Sequence, residues 1–168
     1  MAKATTFGVR FAHWLNRYHA RMAGRGHAAT AFKGRPEPKS IGSFARGRQM
    51  SDGKCLFAGY LVEGVDANIW DLPMPDSAFE MEVHGFQWLD DMAAAGDIEA
   101  KYRAQLWTHE WVRRFGKGSG PGWEPDLTGR RLSRWINHAV LLMNGQERAV
   151  NTAFFRAMSR QANYLARR

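Results

Sequence analysis

The large apolar residues near the N-terminus recur with the spacing of one helical face. They are Phe7, Phe11, Trp14, Leu15, Tyr18 and Met22. This period of three to four residues is typical of an amphipathic α-helix, and Arg10, Arg17 and Arg21 fall on its other face. We predict a basic amphipathic helix over residues 1–24 whose aromatic side chains pack on protein. A mitochondrial transit segment or an interfacial membrane anchor has a similar composition, and we rank both below this interpretation.

The next part of the chain shows neither helical nor strand periodicity. Residues 25–54 are rich in Gly, Pro, Ser and Arg, a composition typical of loops, so we predict an extended linker. The apolar run "CLFAGYLV" that follows indicates a short extended or β segment near 55–63. Two prolines in "WDLPMPDS" then turn the chain.

Helical periodicity returns at position 76 and predicts two helical hairpins. The first helix begins at the capping residue Asp76 and ends at Gly96, and the second begins at Asp97 and ends at "GKGSGPG". Their short junction predicts an antiparallel pair. A second pair covers about 127–144 and 146–166, joined at "NGQ". Helical hairpins in series indicate a mainly all-α fold.

The charges are segregated along the chain. The formal net charge is +8, but residues 1–54 carry +9, residues 55–100 carry −10 and residues 101–168 carry +9. Two basic blocks around an acidic one indicate either an anionic partner or blocks that pair across the fold. For most of these charges we favour solvated helix faces and internal pairing.

The single cysteine and the lack of long apolar runs bear on the compartment. Cys55 has no partner for an internal disulfide and lies in an apolar run, which favours a buried, inert thiol in a reducing compartment. No apolar run approaches the ~18–20 residues of a membrane span, and polar residues interrupt the N-terminus before a signal peptide could form. We expect a soluble, cytoplasmic protein.

The stretch "GWEPDLTGRRLSRWINH" holds the candidate binding residues. Asp126 or Thr128 can cap a helix here, and its helical projection gives a core stripe, a solvent side and a boundary row. The core stripe is Leu132, Ile136, Ala139 and Met143, and the boundary row is Arg131, Trp135, His138 and Leu142. A guanidinium, an indole and an imidazole in one row suit a sugar carboxylate or sulfate. The alternative, which the geometry alone favours, is that these side chains pack in the interior.

Other candidates for chemistry are weaker. His84 and Trp88 lie four positions apart on one predicted helix and are secondary binding candidates. The stretch "HEWVRR" lacks the second histidine of a metal motif, and no phosphate-binding loop or nucleophile motif is present. We therefore predict no metal, no cofactor and no catalytic residue in this chain.

The order of motifs from Cys55 onwards resembles a known family. The stretches "LFAGYLVEG", "FEMEVHGFQWLDDMAAAGD" and "GWEPDLTGRRLSRWINH" are similar to the N-terminal segment of heparinase II/III family proteins of the alphaproteobacterial type. The resemblance implies that residues 55–168 form part of an incomplete α/α toroid. It also implies a polysaccharide lyase, which cleaves uronic-acid-containing chains by β-elimination.

The resemblance assigns a substrate groove without a catalytic set. Trp123, Arg131, Trp135 and His138 would contribute groove surface for an acidic polysaccharide, while the catalytic residues of the family lie beyond the positions present here. We therefore expect no turnover by this chain alone, and either the missing part of the lyase or self-association as a further partner. The alternatives are a basic helical module for nucleic acid or anionic membrane, both of which rank lower, and a non-catalytic assembly subunit.

Overall fold

The computed structural model describes residues 7–64 and 68–167. In these residues the chain forms eight α-helices, a two-stranded antiparallel hairpin and one 3₁₀ turn at Ile69–Asp71. The helices are α1 (Phe7–Ala23), α2 (Phe44–Ser51), α3 (Ser77–Gly85), α4 (Gln87–Ala95), α5 (Ile98–Phe115), α6 (Pro125–Asn137), α7 (Ala139–Met143) and α8 (Arg148–Leu165). The strands are β1 (Cys55–Phe57) and β2 (Tyr60–Val62). The predicted all-α class is confirmed.

Two of the predicted helix starts are capped as expected. The Asp76 carboxylate accepts a hydrogen bond from the Phe79 amide at 2.8 Å, and the Asp97 carboxylate accepts one from the Ala100 amide at 2.7 Å. Each carboxylate satisfies an amide that has no partner within the first helical turn. α6 differs, because it begins at Pro125 with Glu124 as its cap and not at Asp126 or Thr128.

The segment predicted as a linker contains a helix. Ser43 caps α2 by accepting from the Arg46 amide at 3.3 Å, and α2 packs closely on α4. Gly42 and Gly47 lie directly against the backbone of Asp90 and Asp91, where an added Cβ would clash. Contact with α4, and not a local helical pattern, therefore orders this part of the chain.

The helix predicted from Asp76 to Gly96 is broken at Phe86. This residue adopts a left-handed conformation with φ of 62°, which ends α3 and separates it from α4. Left-handed backbone is unfavourable for a bulky side chain, but the Phe86 ring is buried, with its centroid 4.7 Å from Trp88 and 5.4 Å from Trp135. Burial of the ring in this aromatic cluster offsets the backbone strain.

Ion pairs join the basic and acidic blocks across the fold. Arg46 lies 3.3 Å from both Glu82 and Asp91, and Arg134 lies 2.9 Å from Asp90. Exposed pairs of this kind contribute little to stability, and where a pair is partly buried the loss of hydration offsets its attraction. Within the described residues, no helix has both the length and the apolar character needed to cross a bilayer.

Candidate functional site

Arg131 is fully enclosed by the core, with 0% of its surface exposed. Its Nε donates to the side-chain oxygen of Gln161 at 2.8 Å. Its Nη1 donates to the carbonyls of Gly122 at 2.9 Å and His84 at 3.1 Å. The guanidinium carbon also lies 4.0 Å from the centroid of the Trp111 ring, a cation–π arrangement. Because these contacts hold the guanidinium inside the core, it is not presented to an external anion.

The remaining groove candidates on this stretch also lie in the interior. Trp123 is 1% exposed, Trp135 is 0% exposed and His138 is 4% exposed. The predicted stripe is therefore displaced around the helix: Arg131 and Trp135 form the buried side of α6, while Ile136 of the predicted core stripe is 38% exposed. The helical projection assigned the aliphatic residues to the core and Trp135 and Arg131 to its boundary. In the structure the core instead encloses the side of α6 with the largest aromatic surface.

The secondary candidates are likewise held by internal hydrogen bonds. His84 Nδ1 accepts from the indole of Trp111 at 3.0 Å, and the indole of Trp88 donates to the Val83 carbonyl at 3.0 Å. Burial, followed by the nearby charge of Arg131, lowers the pKa of His84 to about 3. His84 is therefore a neutral acceptor in the core.

A polar cluster centred on Asp90 joins three parts of the fold. Its carboxylate accepts from Ser40 Oγ at 2.6 Å and from Arg134 Nε at 2.9 Å, and it lies 2.8 Å from His138 Nε2. Burial raises the pKa of Asp90, but the three donors outweigh it and hold the pKa at about 2. Since an ionised carboxylate only accepts, His138 Nε2 carries the proton. Ser40 and His138 both donate to this carboxylate, so the cluster does not activate a nucleophile.

No group of three or more potential metal ligands occurs among the residues that the structure describes. Cys55 is buried, and burial raises the pKa of its thiol to about 11. A protonated, enclosed thiol is neither a good nucleophile nor a good metal ligand.

On the surface of the protein, α1 exposes a row of aromatic side chains. Phe11, Trp14 and Tyr18 are between 47% and 54% exposed, and Phe7 is 87% exposed. The rings stack along the helix, with centroid distances of 5.9 Å from Phe11 to Trp14 and 5.8 Å from Trp14 to Tyr18. We call Phe7, Phe11, Trp14 and Tyr18 the aromatic face of α1.

The opposite side of α1 docks on the protein through small and polar residues. Asn16, Ala20 and Ala23 are buried, and the helix packs on α8. The sequence-based expectation that the aromatic residues pack on protein is therefore wrong. The line of small residues was the available signal, because it permits close approach of the helix to its neighbour.

A cleft of about 700 Å³ lies beside the aromatic face. Its walls include Phe11, Trp14, Arg10 and Arg17, and Glu80 lies on its other side. His13 Nδ1 and Glu124 lie 3.5 Å apart across this part of the surface. Burial raises the pKa of Glu80, and the charge of His13 partly opposes it. The fold thus presents an aromatic and basic helix over an open cleft, which is a surface suited to another macromolecule.

Comparison with curated proteins finds a similarity to FtsZ-localized protein C of Caulobacter vibrioides (strain NA1000 / CB15N). The two sequences are 31% identical over 96 residues, which cover 57% of this chain and 16% of that protein. No protein-family model and no solved structure matches the chain. The match spans only a small part of that relative, so any role of the whole relative can be assigned to this chain only as a proposal.

The identification with the heparinase II/III family is wrong. The similarity is to a protein named for its localization with FtsZ, and no family model supports a lyase. The lyase function and the acidic-polysaccharide partner are overturned with it, and the toroid expectation loses its support. The physical reason lies in the motif itself, because the Trp and Arg residues of "GWEPDLTGRRLSRWINH" that suggested a groove are enclosed in the core.

Proposed function

We propose that the chain is a protein-interaction module that associates with an FtsZ-containing assembly through the aromatic face of α1. The stacked, exposed rings of Phe11, Trp14 and Tyr18 carry the proposal. Exposed aromatic residues dominate the binding energy of many protein interfaces. The name of the similar protein, FtsZ-localized protein C, supports the choice of assembly.

The packing of α1 on α8 supports the interpretation that its exposed aromatic side chains form a binding surface. The helix is fixed by its small-residue side on α8, and Asn163 Nδ2 lies 3.4 Å from the Ala23 carbonyl. The aromatic side chains are therefore presented on a supported helix, and less conformational freedom is lost when a partner binds. Arg10 and Arg17 in the adjoining cleft add positive charge that favours an acidic partner surface.

The proposal is tested by measuring the binding of the purified chain to purified FtsZ. The test variant replaces Phe11, Trp14 and Tyr18 with Ala, and the control variant carries Ile98→Ala and Tyr102→Ala. Ile98 and Tyr102 are 89% and 58% exposed and lie outside the cleft beside α1. Truncation of a single hot-spot aromatic residue costs roughly 2 kcal/mol, which is about thirtyfold in affinity. We therefore expect the test variant to bind at least about thirtyfold more weakly and the control to bind as wild type.

Two results would overturn the proposal. One is undiminished binding to FtsZ by the triple variant while its circular dichroism spectrum matches wild type. The other is that the wild-type chain binds phosphatidylglycerol vesicles and not FtsZ, and that the triple variant loses this vesicle binding. The second result would assign the same surface to a lipid bilayer.

A further inference from the structure

A second, basic cleft of about 480 Å³ lies between α5 and α8. Its apolar lining consists of Val112, Val150, Ala153 and Ala157. Four cationic side chains also line the cleft: Arg113, Lys117, Arg156 and Arg160. No acidic side chain is among the described residues that line the cleft. Its size falls within the ~300–1,000 Å³ of typical ligand clefts.

The fold leaves much of this positive charge uncompensated. Lys117 and Arg156 are exposed, and their side chains have no ion-pair or hydrogen-bond partner among the described residues. Arg160 donates to the Gly116 carbonyl at 2.8 Å, but its Nε is buried without an acceptor. Arg113 differs, because Glu110 pairs with it. An incoming carboxylate would therefore find cations that internal pairs do not already neutralise.

The cations come from both walls of the cleft. Arg156 and Arg160 are four positions apart on α8, a rise of about 6 Å along one side of the helix. Arg113 and Lys117 have the same sequence spacing at the end of α5 and in the turn after it. A free phosphate would pair with the cations but would make no contact with the apolar lining. A peptide with an apolar side chain flanked by carboxylates would contact both the cations and the apolar lining.

We infer that the cleft between α5 and α8 binds an acidic amphipathic segment of a protein partner. The ligand places an apolar side chain against Val112 and Ala157 and its carboxylates against Lys117 and Arg156. This docking follows the helix-in-groove mode, in which apolar anchors enter a cleft and charges set orientation. The site is separate from the aromatic face of α1 and does not depend on the function proposed for that face.

A labelled model peptide tests this inference directly. The peptide has about 16 residues, long enough to form a helix, with Leu at helical spacing and Glu at the flanking positions. Two comparison peptides replace every Leu with Ser or every Glu with Lys. Fluorescence anisotropy should show that the chain binds the Glu/Leu peptide, and that both replacements weaken binding at least about tenfold.

Variants of the chain separate a specific cleft from general attraction to a basic protein. Lys117→Glu with Arg156→Glu reverses two exposed charges in the cleft, and Lys39→Glu with Lys101→Glu makes the same change in net charge outside it. Ala153→Trp fills the cleft without changing its charge. We expect the first and third variants to bind the Glu/Leu peptide at least about tenfold more weakly, and the second to bind as wild type.

Several outcomes would overturn the inference. Equal weakening by the two charge-reversal variants would indicate non-specific attraction. Full binding by Ala153→Trp would show that the cleft itself is not used. Failure of the Glu/Leu peptide to bind, with phosphatidylglycerol vesicles binding through Lys117 and Arg156 instead, would assign the basic surface to lipid.

Discussion

Arg131 donates from Nη1 to the carbonyl of His84 at 3.1 Å, and this contact joins α6 to the end of α3. The break at Phe86 leaves carbonyls at the end of α3 without their usual helical donors. Arg134 Nη1 donates to the Gly85 carbonyl at 2.8 Å in the same way. Two arginines of α6 therefore satisfy the end of α3, where positive charge also complements the helix dipole.

The first prediction concerns the unequal roles of two adjacent arginines. Arg131→Met removes the donor to His84, Gly122 and Gln161 and leaves buried acceptors unpaired, which we expect to cost about 3 kcal/mol of unfolding free energy. Arg130→Met removes only an exposed pair with Asp126, and we expect a change within about 0.5 kcal/mol. Urea unfolding followed by tryptophan fluorescence measures both. Equal stability of the two variants would contradict the role assigned to Arg131.

The second prediction follows from the lowered pKa of His84, about 3 in the folded protein. An unfolded histidine has a pKa near 6.5, so between about pH 6.5 and 3 the unfolded state binds a proton that the folded state does not. The contribution to stability is therefore fully present above pH 6.5. It decreases by up to about 1.4 kcal/mol per pH unit as the pH falls through this window.

The variant His84→Gln tests this proton linkage. Its unfolding free energy should depend on pH less steeply than that of wild type, by up to about 1.4 kcal/mol per pH unit between pH 6 and 4. The control variant His27→Gln removes an exposed histidine, and comparison with it separates the effect of His84 from that of losing any one histidine. An unchanged slope in His84→Gln would show that His84 titrates normally in the folded state.

The third prediction uses two glycines that differ in their surroundings. A Cβ at Gly122 would lie 2.6 Å from His84 Nδ1, so Gly122→Ala displaces the acceptor of the Trp111 indole and destabilises the protein by about 2 kcal/mol. A Cβ at Gly129 would meet nothing within 4 Å. Since Gly129 lies inside α6, Gly129→Ala should stabilise by about 0.5–1 kcal/mol. Thermal unfolding measures both changes, and effects of the same sign would contradict this assignment.

The sequence predicts helices well where their start and end signals are local. α1 and α5 follow their apolar spacing, and Asp97 caps α5 as expected. Gly85 stands directly before the break at Phe86 and is a weak local signal for it. The apolar spacing continues past this glycine, and the donors that accommodate the break come from α6, which lies far away in sequence. Helix α2 was missed for a similar reason, since its order comes from packing on α4.

The candidate surfaces were harder to predict than the fold. A projection of α1 identifies its aromatic row but does not say whether that row faces protein or solvent. The basic cleft brings together Lys117, just after α5, and Arg156 of α8, which lie far apart in sequence. Neither relationship is encoded in local spacing. Both depend on how α8 packs on its neighbours.

The last prediction concerns the polar cluster centred on Asp90, which holds the segment before α2 against α4 by hydrogen bonds. Asp90 accepts from Ser40 at 2.6 Å, and the neighbouring Asp91 carboxylate accepts from the Ser43 amide at 2.8 Å. Ser40 and His138 share Oδ1 of Asp90, and Arg134 donates to Oδ2. Asp90→Asn turns one of these oxygens into a donor, so at least one of the three side chains loses its acceptor. We expect faster amide hydrogen exchange across 43–51, because local opening of this segment then costs less free energy.

Asp52→Asn provides the matched control for this exchange experiment. Asp52 is exposed, and no hydrogen bond or ion pair of its side chain occurs among the described residues. Exchange in α2 should therefore remain at the wild-type rate in this variant, while it increases in Asp90→Asn. Exchange in α5 serves as an internal reference, because a global loss of stability would accelerate both helices. If amide exchange in α2 and α5 accelerates equally in Asp90→Asn, Asp90 stabilises the whole fold and does not act locally on α2.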